Sequence, residues 1–130
     1  MRNVLPQMHR GLAWIIIAAV GAQFFFAGLG LFTTAGFGAH RLTGSLIVPA
    51  SLILLVLALV GRLGGALIGL SALLLGLTII QSLLTKGPPF IAALHPVNAV
   101  VILFVALNLA RYGTRRGAQS PAVAMFGRGA

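Results

Sequence analysis

The sequence contains no aspartate and no glutamate. No side chain can therefore serve as a carboxylate base, form a glycosidase acid pair, hold Mg²⁺ in the Walker manner, build a hard-cation cage or carry protons as an intramembrane carboxylate. Cysteine is also absent, which removes disulfides, thiolate metal sites, iron–sulfur ligation, thiol catalysis and c-type haem attachment. Three histidines are left as the only good metal ligands. Charge of any kind is scarce: 7% of residues carry it, against about a quarter in a soluble domain.

What fills the chain is apolar. Of 130 residues, 59% are hydrophobic, and the mean hydropathy is +1.09. Four segments come close to the roughly 20 residues that cross a bilayer core: about 11–32, 41–60, 64–84 and 91–112. Between them stand Thr33 to Gly38, Gly61-Arg62-Leu63-Gly64 and Thr85-Lys86-Gly87-Pro88-Pro89, each punctuated by glycine or proline. The expected fold is all-α, an integral membrane four-helix up-down bundle. It comprises one transmembrane domain over residues 1–112 and a flexible basic cytoplasmic tail over 113–130. The apolar run after Arg10 is too long for a signal-peptide core, so the first segment is expected to remain as a span.

The nine cations lie at the ends of these segments rather than in a stripe, which points to lipid headgroups and away from nucleic acid. In an up-down bundle one face receives Arg2, Arg10, Arg62, Arg111, Arg115, Arg116 and Arg128, and the other receives Arg41 and Lys86. The positive-inside rule then places both termini in the cytoplasm, by seven to two, with the bacterial cytoplasmic membrane as the expected location.

Small residues recur along the spans. Gly65, Gly69, Ala72 and Gly76 form a row on the third, and Gly21 and Gly28 repeat on the first. Close helix packing is the ordinary use of such rows. Gln23, Ser71, Thr78, Gln81 and Asn108 are expected to hydrogen-bond neighbouring helices, with a quinone or substrate contact as an alternative for Gln23. Trp14 and Tyr112 are expected at the interface.

His40 and His95 open the second and fourth spans, which run in the same direction and lie diagonally in such a bundle, roughly 12–14 Å apart. Two inward imidazoles leave room there for one metal in a macrocycle. Their surroundings repeat: Thr43 and Gly44 follow His40 at i+3 and i+4, and Asn98 and Ala99 follow His95. Each histidine thus shares its helix face with one polar and one small neighbour. The intervals from Arg10 to His40, 30 positions, and from Arg62 to His95, 33 positions, hint at a duplicated hairpin. Arg41 and Lys86 are expected to face haem propionates, and Gly28, Gly30 and Gly76 to lie at the depth of the ring. His9, on the opposite face without a partner histidine, is expected to be a solvated interfacial residue.

With those residues in place, the arrangement resembles the four-helix core of b-type membrane cytochromes, where paired histidines from alternate helices clamp haem and glycines admit the ring. The chain is also similar to an uncharacterised family of small bacterial four-helix membrane proteins. The shared phrases are Gly38-Ala39-His40-Arg41-Leu42-Thr43-Gly44 and Leu94-His95-Pro96-Val97-Asn98-Ala99, and the likeness spans residues 8–112. The cytochrome resemblance implies haem b on His40 and His95, with electron transfer to a quinone or a redox partner protein rather than catalysis by the chain alone. The alternative is a cofactor-free accessory or scaffold subunit that packs through its glycine rows in a larger membrane complex or a homo-oligomer. A channel is disfavoured because the spans lack a continuous polar row.

Overall fold

Long runs of Leu, Ile, Val and Ala without interior charge satisfy every backbone group along one helix, the only open-chain solution in hydrocarbon. The computed structural model describes residues 4–117, with side chains to 112. Its helices are α1 (Val4–Phe32), α2 (Gly38–Val60), α3 (Gly65–Leu84), a single turn α4 (Pro89–Ala92) and α5 (His95–Gly117). No strand occurs among the described residues. Four stretches, Val4–Phe32, Gly38–Val60, Gly65–Leu84 and Pro89–Tyr112, are long and apolar enough to cross a membrane, the architecture of a multi-pass membrane protein.

α1 and α3 each pack against both α2 and α5, so α2 and α5 are the diagonal pair of a four-membered ring. The buried positions follow one spacing, i, i+3, i+7. They are Ala13, Ile16 and Val20 on α1, Ser51, Leu54 and Ala58 on α2, and Ser71, Leu74 and Thr78 on α3. α5 closes the core with Ile102, Val105, Ala106, Leu109 and Ala110. That is the narrow seam of coiled-coil-like packing. The larger apolar side chains, among them Ile15, Phe25, Leu46, Ile53, Leu73 and Phe104, face outward, where lipid replaces water.

The buried hydroxyls of Ser51, Ser71 and Thr78 donate to their own helices, to the carbonyls of Ile47, Leu67 and Leu75. Small side chains with internally satisfied hydroxyls let the axes approach closely. The turn from α2 to α3 is a Schellman motif. Arg62 N donates to Leu59 O and Leu63 N to Ala58 O, with Arg62 itself in the left-handed region at φ 47, a place usually taken by glycine.

Several expectations need correction. α1 runs from Val4, ahead of the apolar segment expected from about residue 11, because a helix continues past the lipid wherever its hydrogen bonds do. α5 continues to Gly117, so the helix takes in the first five residues assigned to the tail; residues 118–130 lie outside the described residues. α4 and the break at Ala93–Leu94 interrupt the start of the fourth span, leaving Pro96 in the first turn of α5, where its missing N–H costs nothing. The row Gly65, Gly69, Ala72, Gly76 does not pack inside the bundle. A Cβ on any of its three glycines would meet nothing within 4 Å, because α3 turns Ser71, Leu74 and Thr78 inward instead.

Candidate functional site

At one end of the bundle the turns α1–α2 and α3–α5 bring His40 and His95 face to face. Their ring centroids are 6.0 Å apart and their planes 60° apart. Each Nδ1 lies 3.1 Å from a main-chain carbonyl, His40 from Gln23 O and His95 from Gln81 O. A carbonyl oxygen only accepts, so each Nδ1 carries the proton and donates it. In the neutral ring, Nε2 is then left with a free lone pair. A donor bond on one nitrogen that sets the tautomer of the other is the arrangement found behind metal-bound imidazoles.

The two halves repeat each other closely. Gln23, whose carbonyl holds His40, also donates its side-chain amide to Thr43 Oγ1, three residues after that histidine. Gln81, whose carbonyl holds His95, accepts at Oε1 from Asn98 Nδ2 at 2.7 Å, again three residues after the histidine. Asn98 Nδ2 also donates to Leu77 O at 2.9 Å, and Thr43 donates to Ala39 O at 2.8 Å. A glutamine on the preceding helix thus grips both the histidine and its polar neighbour, once per hairpin. In the low dielectric of a membrane interior, such hydrogen-bond networks are strong and hold the side chains in place.

The rings border a cavity of about 280 Å³ whose walls include Gln23 and Phe24 of α1, Arg41 and Gly44 of α2, Gln81 of α3 and Ala99 of α5. Of the residues expected at this site, His40, His95, Arg41, Gly44 and Ala99 line the cavity, while Asn98 stands behind it, fixing Gln81. Gly28, Gly30, Gly76 and Lys86 are not among its lining residues. At the ring's level α1 and α3 contribute side chains, Gln23 and Phe24 on one and Thr78 and Gln81 on the other, instead of glycine.

Gly30 touches the site at one remove. A Cβ there would fall 2.7 Å from the Phe37 ring, and Phe37 meets His40 edge-on at 6.2 Å. Gly44 has a similar close neighbour, since a Cβ at that position would come within 3.1 Å of Gln23 Oε1. Sequence reasoning missed Phe37 and the gripping role of the two glutamines. Their shared signal is a glutamine 17 residues before His40 and 14 before His95.

His9 also departs from expectation. It is 2% exposed and bonds Ser71 at 3.0 Å, because α1 points position 9 along the same seam as Ala13, Ile16 and Val20.

Among the described residues no group of three or more His, Cys, Asp or Glu gathers. Of those four residue types, two imidazoles are what the site brings together.

A model of a family of unknown function, DUF6220, matches residues 23–87, half the chain. The chain belongs to the DUF6220 family. The DUF6220 match begins at Gln23 and takes in His40, Thr43, Gly44 and Gln81, the whole first hairpin of the site and the glutamine of the second. No curated protein and no solved structure matches the chain.

Proposed function

We propose that His40 and His95 are the axial ligands of one haem b and that the protein is a membrane electron relay. The observation that carries this reading is the ring separation. Two imidazoles bound through nitrogen on opposite sides of one metal, each at about 2.0 Å, have centroids roughly 6.3 Å apart. Here they stand 6.0 Å apart. Both rings already donate from Nδ1, the state that leaves Nε2 to bind. A donor set of two fits a macrocycle that brings its own four nitrogens.

When bound, haem supplies one-electron chemistry, and two imidazoles close both axial positions, which favours transfer over oxygen activation. The chain's residues orient and tune the site. Gln23 and Gln81 raise the basicity of the ligands through the carbonyls that accept from Nδ1–H. Arg41, the cation on the cavity wall, offers a guanidinium to a propionate. Gly44 and Ala99, one turn beyond each histidine, keep the α2 and α5 walls low. The cavity, about 280 Å³, is smaller than a haem, so its walls have to part to take one in. Phe24, 42% exposed at its edge, has to swing toward the lipid to admit a macrocycle.

The distribution of cations supports a cytoplasmic location for both termini, which would leave the histidine pair near the extracytoplasmic face of a bacterial inner membrane. A quinone or a redox partner protein would complete the circuit. Titrating haem into the detergent-purified apoprotein tests the reading. The expected result is a saturable end point at one equivalent per chain that disappears in the His40→Ala, His95→Ala double variant. Unsaturable uptake, or an end point that survives in the double variant, would overturn it.

A further inference from the structure

At the other end of the bundle from the His40–His95 pair lies a second polar centre. Ser71 donates its single proton to Leu67 O at 2.7 Å, so its oxygen accepts from His9 Nε2–H. If the hydroxyl turns to His9 instead, Nε2 accepts and the proton moves to Nδ1. The uncharged pair can thus present a donor at Nδ1 without taking up a proton. His9 Nδ1 has no hydrogen-bond partner among the described residues, and none of their fully buried side-chain nitrogen or oxygen atoms lacks one. Nδ1 is therefore not fully enclosed, and His9 is one of the residues that line a cavity at this end.

That cavity is about 410 Å³ and is also lined by Gln7, Arg10, Leu63, Leu67 and Leu109. It combines an imidazole nitrogen that becomes an N–H donor when the Ser71 hydroxyl turns to His9, an exposed guanidinium and an apolar wall. Arg10 has no carboxylate side chain to pair with anywhere in the sequence, so its counter-ion comes from outside the chain's side chains. The site sits within two turns of the ends of α1 and α3, the depth of lipid headgroups.

We propose that this cavity binds the phosphodiester of an anionic membrane phospholipid. The Arg10 guanidinium donates to phosphate oxygens, joined by His9 Nδ1–H as the Ser71 hydroxyl turns from Leu67 O to Nε2, and Leu63, Leu67 and Leu109 cover the start of an acyl chain. Free phosphate would satisfy the same donors but leave the leucine wall uncovered. The proposal stands independently of haem.

The test uses the full chain in nanodiscs of phosphatidylcholine with a minor fraction of phosphatidylglycerol, with retained lipid identified by native mass spectrometry. Phosphatidylglycerol should be enriched on the protein. Arg10→Gln and His9→Leu should each lower that enrichment about tenfold, the scale of a hydrogen bond to a charged group. His9→Asn, which keeps an N–H donor close to the Nδ1 position, should retain more than His9→Leu, and Lys86→Gln at the far end should change nothing. Arg10 is exposed, so its variant keeps the test open even if His9→Leu fails to fold. Equal retention of both lipids, or full enrichment in Arg10→Gln, would overturn the proposal. Displacement of the lipid by excess inorganic phosphate would overturn the lipid assignment in favour of a free-anion site.

Discussion

Asn98 and Thr43 occupy the same place after their histidines but are wired differently. Asn98 ties α5 to α3 through two donor bonds, whereas Thr43 receives the Gln23 amide and returns its proton to its own helix. Asn98→Leu should therefore lower the stability of the detergent-solubilised protein by about 1 kcal/mol, the scale of interhelical hydrogen bonds in membranes, while Thr43→Val should cost less. Thermal unfolding followed by circular dichroism compares the two; equal losses would mean that the second donor bond of Asn98 contributes nothing. Gly44→Val should weaken haem binding more than Gly28→Val, because only at Gly44 does an added Cβ press on Gln23. His40, His95 and their i+3 neighbours were legible in the sequence because helical spacing alone puts them on one face. The side-chain bonds of Gln23 and Gln81 to neighbouring helices were expected as well, but not their hold on the histidines, which runs through a main-chain carbonyl that every residue has. The site was legible as a pair of histidines on neighbouring hairpins, and the carbonyls that hold them emerge only from the register between helices.

Along the elements, hydropathy located all four spans because lipid demands long apolar runs. It could not say which face of each turns inward, since lipid and core are both apolar and the amphipathic signal of soluble helices vanishes. His9 and the Gly65–Gly76 row were misplaced for that reason. Gly69→Leu should leave the unfolding midpoint of the monomer unchanged, as nothing lies within 4 Å of the added Cβ; a destabilised monomer would mean that this face packs within the bundle. The α2–α3 turn holds a non-glycine residue in the left-handed region, Arg62 at φ 47. Arg62→Gly should relieve roughly 1 kcal/mol of strain and raise the unfolding midpoint, whereas a lowered midpoint would show that the arginine's charge outweighs the strain.

At the level of the whole molecule, two hairpins carry the same device. Glutamine, histidine and the polar residue at i+3 recur, and the two copies meet across the diagonal of the ring. The sequence shows this duplication only faintly, because the third helix reaches the fourth span through α4 while the first reaches the second by a simple turn. If seven cations mark the cytoplasmic side, a fluorescent-protein fusion at the C-terminus should glow and a phosphatase fusion there should be inactive; an active phosphatase would invert the orientation and move the histidine pair to the cytoplasmic face.

On the proposed reading, His40 and His95 bind one iron between them. The reduced-minus-oxidised visible spectrum of the purified protein, set beside His40→Ala and His95→Ala singly, tests it most directly. A six-coordinate low-spin haem spectrum in the native protein, lost in each single variant, is the predicted result. A folded, monodisperse and colourless protein after expression with ample haem, or a spectrum that persists unchanged in both variants, would contradict it.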